Sequence, residues 1–228
     1  MRRLIVNADD YGLSPGVDEG IRACAARGVV TSVSVLAARV TGDGLRALLD
    51  VAPDVGLGLH VDLTEDLVRY REGDAERRVR EQVERFLDVA GRPPDHVDTH
   101  RHLHRGKADV LDALAATGLP VRADGASTRR ELRRRGARCT DHFVGDVGPR
   151  SFWSAVRLRA ALRDLGEGTT ELMCHPGRGT DVPAGLRYRE QREGELATFL
   201  SPRLRERIER RGVKLATFRD LVPGGGRP

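Results

Sequence analysis

Short apolar runs alternate along the chain with longer stretches in which apolar residues recur every three or four positions. The short runs have the length and composition of β-strands, and the longer stretches have the period of an amphipathic helix. Three strand–helix pairs are predicted in the first part of the chain, at about 4–9 with 15–27, 32–38 with 42–51, and 56–63 with 75–90.

Later strand-like runs continue the pattern: HVDTHRH from residue 96, PVRAD from 120, CTDHFVG from 139, TTELMCH from 169 and KLATFRDL from 214. Most are separated by enough residues for a helix, and this rhythm indicates parallel strands joined by crossover helices. Seven or eight such units in 228 residues are compact for a closed eight-fold barrel, which typically needs about 250. We therefore predict an α/β fold with a distorted or incomplete (β/α) barrel, and an open doubly wound sheet is the alternative.

No internal repeat, linker or low-complexity segment interrupts the chain before its last residues, PGGGRP. A chain of this length lies near the upper end of what one domain holds. We predict a single catalytic domain over residues 1–222 and a flexible tail over 223–228.

The composition, with 39% hydrophobic and 32% charged residues, is that of a soluble globular protein. No apolar run approaches the roughly 20 residues of a membrane span. The apolar run at residues 4–6 is also shorter than the stretch of about 7 to 15 residues in a signal peptide. Three scattered cysteines, Cys24, Cys139 and Cys174, indicate free thiols, so we expect a cytoplasmic protein without a membrane span.

The formal net charge of +5 and the pI near 9.6 raise the question of a nucleic-acid partner. The densest basic stretch is RRELRRRGAR at residues 129–138. All but two of the 39 lysines and arginines are arginines, they are spread along the whole chain, and acidic residues are interleaved with them. This distribution favours a solvated, arginine-rich surface over a nucleic-acid site.

The first predicted strand ends in two adjacent carboxylates, Asp9 and Asp10, before a turn that contains Gly12. Adjacent carboxylates at a strand end repel each other and lose solvation, and a bound cation would compensate both effects. Aspartate is also common in turns and helix caps, which is the more typical explanation for such a pair in isolation.

Histidine is concentrated at two later strands. His60 lies in GLGLHVDLT on the face opposite the leucines, where a lone histidine is more often a hydrogen-bonded core residue than a ligand. The run HVDTHRHLH places five polar residues on one parity: His96, Asp98, His100, His102 and His104. An extended backbone would line them along one face, and a helix from about His100 would stack His100 on His104, so both geometries gather imidazoles.

Imidazole and carboxylate together form a ligand set that suits zinc best and is accepted by other divalent ions. Three protein ligands with a position left to water would make a catalytic site, whereas the sequence has no Cys pair at the spacing of a structural zinc finger. His175 ends a later strand directly before Pro176 and Gly177, where it either caps the loop or joins a site at the same end of the sheet.

Several segments, in their order along the chain, resemble the YdjC-like carbohydrate deacetylase family, which contains chitooligosaccharide and hopanoid-biosynthesis deacetylases: NADDYGLSPGV, GLGLHVDLT, HVDTHRHLH, VRAD and ELMCHPG. The resemblance extends from residue 4 to about residue 221. It implies a distorted barrel similar to polysaccharide deacetylases, with an Asp-His-His metal site.

The resemblance also implies a role for each matching residue. The ligands of one divalent metal ion would be Asp10, His60 and His100. The acid–base residues would be Asp9 as general base, His175 as general acid and Arg122, which orients the base. Magnesium is the metal that the resemblance implies, while the ligand set by itself favours zinc.

Three further residues receive weaker assignments. His102 and His104 are left over from the metal ligands and are assigned to substrate contact or to hydrogen bonds that support the ligands. Tyr11 could stack on a sugar face or simply pack in the core. The resemblance is also compatible with a homodimer. The segment between Thr64 and Ala75 is short for the family, so the length of the sugar substrate is left open.

These residues together predict an N-deacetylase that releases acetate from an acetylated amino sugar. Asp9 would take a proton from the attacking water, and His175 would protonate the leaving amine. Two alternatives are kept: a metal-dependent hydrolase of another class, such as a phosphoesterase, and a non-catalytic protein that binds sugar or nucleic acid.

Overall fold

The structure is a computed structural model that describes residues 1–64, 73–145, 152–182 and 189–221. Its strands are β1 (Arg2–Tyr11), β2 (Ser32–Val35), β3 (Gly56–Val61), β4 (Val97–Thr99), β5 (His142–Val144), β6 (Gly168–Cys174) and β7 (Val213–Leu215). Its α-helices are α1 (Pro15–Arg27), α2 (Gly42–Val51), α3 (Ala75–Ala90), α4 (Ala108–Ala116), α5 (Ala126–Arg134), α6 (Ala155–Arg163), α7 (Glu190–Phe199) and α8 (Pro202–Arg210). The tail predicted at 223–228 lies outside the described residues, and the single domain stays a prediction.

The strands form one parallel sheet with the spatial order β4-β3-β2-β1-β6-β5. Strands β1, β2, β3 and β4 are neighbours in that order, and β5 and β6 lead back to β1 on its other side. These six strands therefore follow one another in chain order around a ring that is open between β4 and β5. In a doubly wound sheet the order of strands reverses, so that β5, the next strand of the chain after β4, would lie beside β1. The distorted (β/α) barrel is therefore confirmed, and the doubly wound alternative is wrong.

The run PVRAD, predicted as a strand, forms only an isolated parallel bridge between Val121 and Val97 at the outer edge of β4. Pro120 has no N–H to extend the ladder before this point, and α5 begins a few residues after it. On the side of the gap, the Val121 N–H donates to the Arg138 carbonyl at 2.8 Å. Arg122 therefore stands directly beside the opening in the barrel.

The central strand, β1, is buried from Leu4 to Tyr11. β6 pairs with one edge over Arg2 to Ala8, while the other edge is shared by β7 near the start of β1 and by β2 from Asn7 onward. A strand that is covered on both faces and both edges is rigid, so the side chains at its carboxyl end are held in fixed positions.

The predicted helices at 15–27, 42–51 and 75–90 are confirmed with matching bounds. Each buries an apolar side against the sheet, with Ile21 of α1, Leu48 of α2 and Phe86 of α3 fully buried. Among the helices that the structure describes, none is long and apolar enough to cross a membrane.

The start of α1 contacts the loop that follows β6. Ser14 caps the helix, and its hydroxyl donates to Asp181 Oδ1 at 2.9 Å, while the Gly16 N–H donates to Asp181 Oδ2 at 2.7 Å. Gly20 approaches Gly177 so closely that a Cβ atom at Gly20 would lie 2.5 Å from the Gly177 Cα. Glycine at this position therefore sets the distance between α1 and the loop after His175.

Candidate active site

Three side chains converge at the carboxyl end of the barrel, from the ends of β1 and β3 and from the turn after β4. Asp10 Oδ1 lies 3.3 Å from His60 Nε2 and 3.0 Å from His100 Nδ1, and the two imidazole nitrogens are 3.2 Å apart. Three ligand atoms at about 2.1 Å from one metal ion, in neighbouring coordination positions, are separated by about 3.0 to 3.4 Å. The three residues therefore fit a divalent metal ion that retains open positions.

The position of Asp10 depends on an irregularity in β1. The pairing of β1 with β2 gains one extra residue between Ala8 and Tyr11, and Asp10 has a left-handed φ of 74°. Such a bulge redirects the side chain at a strand end, and aspartate is among the few residues that tolerate left-handed backbone. Asp9 and Asp10 consequently serve different partners although they are adjacent.

His60 is oriented by a buried carboxylate. Its Nδ1 lies 2.6 Å from Asp98 Oδ1, which leaves Nε2 directed at Asp10 and His100. Burial disfavours a charged imidazole, yet Asp98 and Asp9 raise the pKa of His60 well above its usual value. The surroundings of His60 therefore favour positive charge, which a proton or a metal cation can supply.

Asp10 carries an arginine on its second oxygen. Arg192 of α7 is 2% exposed, and its Nη2 lies 2.5 Å from Asp10 Oδ2. Burial alone would raise the pKa of Asp10, but Arg192 and the imidazole of His100 outweigh it and hold the pKa well below its usual range. Because Arg192 occupies Oδ2, only Oδ1 faces the two imidazoles.

Asp9 is bound by the fork of a fully buried arginine. Arg122 Nη1 lies 2.7 Å from Asp9 Oδ2 and Nη2 lies 2.7 Å from Asp9 Oδ1, and Asn7 Nδ2 donates to Asp9 Oδ1 at 2.8 Å. Burial opposes ionisation of Asp9, but the guanidinium outweighs it and lowers the pKa. Asp9 is thus an ionised carboxylate in a fixed orientation.

The same arginine contacts two more carboxylates. Arg122 Nη2 lies 2.8 Å from Asp98 Oδ2, and Arg122 Nε donates to Glu171 Oε1 at 2.6 Å. Burial raises the pKa of Glu171 to about 7 although Arg122 opposes the rise. One guanidinium therefore links the base candidate to Asp98, the residue that orients His60.

His175 directly follows the last residue of β6, close to Asp9. Its Nε2 is 4.0 Å from Asp9 Oδ2, and burial lowers its pKa to about 4. Its backbone N–H donates to Glu195 Oε2 at 2.5 Å, and Glu195 Oε1 accepts from the Trp153 N–H at 3.0 Å. Glu195 of α7 thereby fixes the segment on which His175 stands.

The five residues of one parity in HVDTHRHLH separate in the fold. β4 ends at Thr99, and the chain then turns through left-handed residues at Arg101 and His102, with φ of 57° and 53°. His96 stacks on Phe218 with ring centroids 3.8 Å apart, and its Nε2 lies 3.8 Å from Asp98 Oδ2. From this run only His100 reaches Asp10.

The weaker assignments of the sequence are placed differently from the ligands. Tyr11 has no exposed surface and its hydroxyl donates to the Gly44 carbonyl at 2.6 Å, which favours the packing interpretation. His104 is also fully buried and contacts Thr99 and Asp124, so a hydrogen-bonding role fits it better than substrate contact. His102 lies beside Asp124, at 3.0 Å from Nδ1 to Oδ2.

Several residues of the site carry no local signal that the sequence reasoning used. They are Asn7, Ser34, Glu171, Arg192 and Glu195. The sequence places Asp98 on the parity of His100, two residues earlier, without a role, and the structure shows that it orients His60. Arg192 and Glu195 stand on a helix three residues apart, among other charged residues that are exposed, and only their burial distinguishes them.

Comparison with protein families and known proteins gives a consistent result. A family model described as YdjC-like protein matches residues 3–210. A carbohydrate deacetylase of Geobacillus stearothermophilus is 34% identical, over 96% of this chain and 98% of its own. A chitooligosaccharide deacetylase of Proteus mirabilis is 30% identical, over 96% and 98% of the two chains.

Solved structures agree on the fold. A protein of Enterococcus faecalis described as a cellobiose-phosphate cleavage protein superposes with a TM-score of 0.83 at 25% identity, over 97% of this chain and 99% of its own. A structure described as T48 deacetylase with substrate gives a TM-score of 0.61 at 15% identity, over 96% and 90% of the two chains. The barrel is therefore of the kind found in polysaccharide deacetylases.

Proposed function

The chain belongs to the YdjC-like protein family, and from this premise we propose that it is a carbohydrate deacetylase. The proposed reaction is the hydrolysis of the N-acetyl group of an acetylated amino sugar, such as a chitooligosaccharide. The observation that carries the proposal is one cluster at the barrel end, where three metal-ligand side chains lie beside an ionised carboxylate and a histidine.

A divalent metal held by Asp10, His60 and His100 would polarise the acetamide carbonyl and make a bound water more acidic. Asp9 then removes the proton from the water that attacks the carbonyl carbon. Arg122 keeps both oxygens of Asp9 oriented during this step, through contacts of 2.7 Å. The C–N bond breaks when the nitrogen receives a proton, and acetate and a free amino sugar leave.

His175 is the proposed donor of that second proton. Its pKa of about 4 means that it is neutral before the reaction, so it must first receive a proton. Asp9 gains one from water and lies 4.0 Å from His175 Nε2, which is close enough for transfer after a small movement or through one water molecule. The two residues would thus pass a single proton from the water to the leaving nitrogen.

Two ligands of the proposed metal are imidazoles, a set that suits zinc, whereas family resemblance favours magnesium. The experiment is therefore to strip the protein with a chelator, add back Zn²⁺ or Mg²⁺, and measure acetate released from N-acetylated chitooligosaccharides. We expect activity to return with at least one of the two ions and to be absent without them.

Variants test the acid–base roles. Asp9→Asn and His175→Ala should each lower the turnover number by about 10²-fold or more, in the range found for general acid–base residues. Asp164→Asn and His142→Ala make the same kinds of replacement at exposed positions and should leave it unchanged. Retained turnover in both site variants would contradict the mechanism. Release of phosphate from p-nitrophenyl phosphate, without release of acetate, would favour the phosphoesterase alternative.

We also propose a cellular compartment and an oligomeric state for the protein. Cys24, Cys139 and Cys174 are all free, which is compatible with the reducing cytoplasm that we propose as the location. A homodimer is proposed from family resemblance only.

A further inference from the structure

A second group of metal-type ligands lies in the turn after β4, outside the active-site cluster. It consists of His102, His104 and Asp124, which we call the His102 cluster. His102 Nδ1 lies 3.0 Å from Asp124 Oδ2, and His104 Nε2 lies 3.2 Å from Asp124 Oδ1. One donor atom from each residue lies within 4.8 Å of the other two, so the three can share one ion.

One nitrogen of each imidazole in the His102 cluster and one oxygen of Asp124 have no hydrogen-bond partner. They are His102 Nδ1, His104 Nε2 and Asp124 Oδ1, and each is buried. Although the atoms are near each other, their directions do not suit hydrogen bonds. A buried polar atom without a partner costs about 1 to 3 kcal/mol, so three at one point call for a group that is absent from the protein itself.

Two other atoms of the cluster, one on His104 and one on Asp124, already have partners, as the non-ligating atoms of metal ligands usually do. Thr99 Oγ1 lies 2.5 Å from His104 Nδ1, which fixes the ring with Nε2 toward Asp124. Arg105 Nε binds Asp124 Oδ2. The active-site cluster has the same residue types, with two imidazoles and an arginine around one aspartate. There both imidazoles face one oxygen of Asp10, whereas His102 and His104 lie nearest to different oxygens of Asp124.

We propose that His102, His104 and Asp124 bind a second divalent cation, of the class of zinc, which has a structural role. Two imidazole nitrogens and a carboxylate oxygen are ligands that zinc accepts, and calcium or magnesium would require more oxygen atoms. The side chain of His102 is 11% exposed, so the ion can enter and a water molecule can complete its coordination.

The ion would hold a turn with left-handed backbone in place. Arg101 and His102 are both left-handed, and each costs about 1 to 2 kcal/mol relative to ordinary backbone. The same turn carries His100, the active-site ligand, two residues before His102. A cation that joins His102 and His104 to Asp124, near the start of α5, would hold this turn in place.

The experiment counts zinc ions in the full chain, expressed without a histidine tag. The protein is stripped with a chelator, incubated with Zn²⁺, passed through a desalting column and analysed by inductively coupled plasma mass spectrometry. We expect two equivalents for the wild type and one each for His102→Ala and Asp124→Asn. His60→Ala should also retain one, and the control His142→Ala, at an exposed histidine, should retain two.

Folding of each variant is checked by circular dichroism, and His102→Ala, at the most exposed residue of the cluster, is the variant least disturbing to the core. Absence of bound zinc from His60→Ala overturns the proposal, and so does a wild-type count that is unchanged in both His102→Ala and Asp124→Asn. The count does not depend on deacetylation, so absence of acetate release would contradict the proposed function and leave this inference standing.

Discussion

At the scale of single residues, Arg122 joins three carboxylates of the active site. It is fully buried and contacts Asp9, Asp98 and Glu171. Three buried carboxylates near one another would be strongly unfavourable without a cation between them. Arg122 therefore serves both the stability of the barrel and the orientation of the base.

Replacing Arg122 should be costly for stability. Arg122→Gln leaves buried carboxylates without a counter-ion, and we expect the free energy of unfolding to fall by about 3 to 5 kcal/mol. The measurement is urea denaturation followed by circular dichroism at neutral pH. Arg163→Gln removes an exposed arginine paired with Asp164 and should change little. A loss below about 1 kcal/mol for Arg122→Gln would contradict the role assigned to this residue.

Glu195 predicts a specific pH dependence of stability. Burial raises its pKa from 4.5 to about 7, so the folded protein holds this proton at a pH where the unfolded chain has lost it. The protonated form of Glu195 therefore stabilises the folded protein. This contribution to the free energy of unfolding decreases as the pH rises from about 4.5 to 7, by roughly 3 kcal/mol at most.

Glu195→Gln should remove this dependence, because glutamine does not ionise. The stability of the wild type minus that of the variant should decrease between pH 4.5 and 7 when both are measured by urea denaturation without metal. Glu171 is present in both proteins, so its own titration cancels in the difference. A difference that is constant with pH would mean that folding does not raise the pKa of Glu195.

At the scale of elements, the packing of α1 on the loop after β6 positions His175. Alanine is favoured over glycine within a helix by about 1 kcal/mol, yet a Cβ atom at Gly20 would collide with the backbone of Gly177. Gly44 of α2 offers a comparison, because a Cβ atom there would meet its nearest neighbours at an ordinary 3.4 Å.

The two substitutions should therefore have opposite effects. Gly20→Ala should lower the free energy of unfolding by about 1 to 3 kcal/mol and reduce the turnover number, since it displaces the loop of His175. Gly44→Ala should be neutral or stabilise by up to about 1 kcal/mol, with turnover unchanged. Thermal unfolding and acetate release measure both. If Gly20→Ala behaves like Gly44→Ala, the close approach does not control the position of the loop.

At the scale of the whole molecule, the active-site cluster joins parts of the chain that are distant in sequence. Asp10, His60 and His100 come from two strands and from the turn after a third, so a shared metal ion would link these elements in the folded state only. An ion that binds the native state and not the unfolded chain stabilises the protein by about 2.7 kcal/mol at a free concentration of 100 times its Kd.

Metal removal should therefore lower thermal stability. We expect the melting temperature to fall by several degrees when a chelator is added and to recover with Zn²⁺. His60→Ala should lose a large part of this metal-dependent increment, whereas His142→Ala should retain it. An identical increment in His60→Ala and the wild type would show that the ion stabilises the protein from elsewhere.

Much of the fold was predictable from the order of patterns along the chain. The alternation of strands and helices and the bounds of α1, α2 and α3 follow from local periodicity. The reduction of PVRAD to one bridge does not, because it depends on Pro120 and on the position of the gap beside β4. Local patterns define elements, while the closing of a barrel depends on contacts between distant strands.

The sequence by itself determined the kind of residues at the ends of the strands: adjacent carboxylates after β1, a histidine in β3 and a run of histidines after β4. Only the tertiary structure decided which of them meet. Parity predicts a shared face only while the backbone stays extended, and the chain leaves β4 at Thr99 through left-handed residues, so His100 alone joins Asp10 and His60. Arg192 reaches Asp10 from 182 positions away along the chain, a contact that no local pattern encodes.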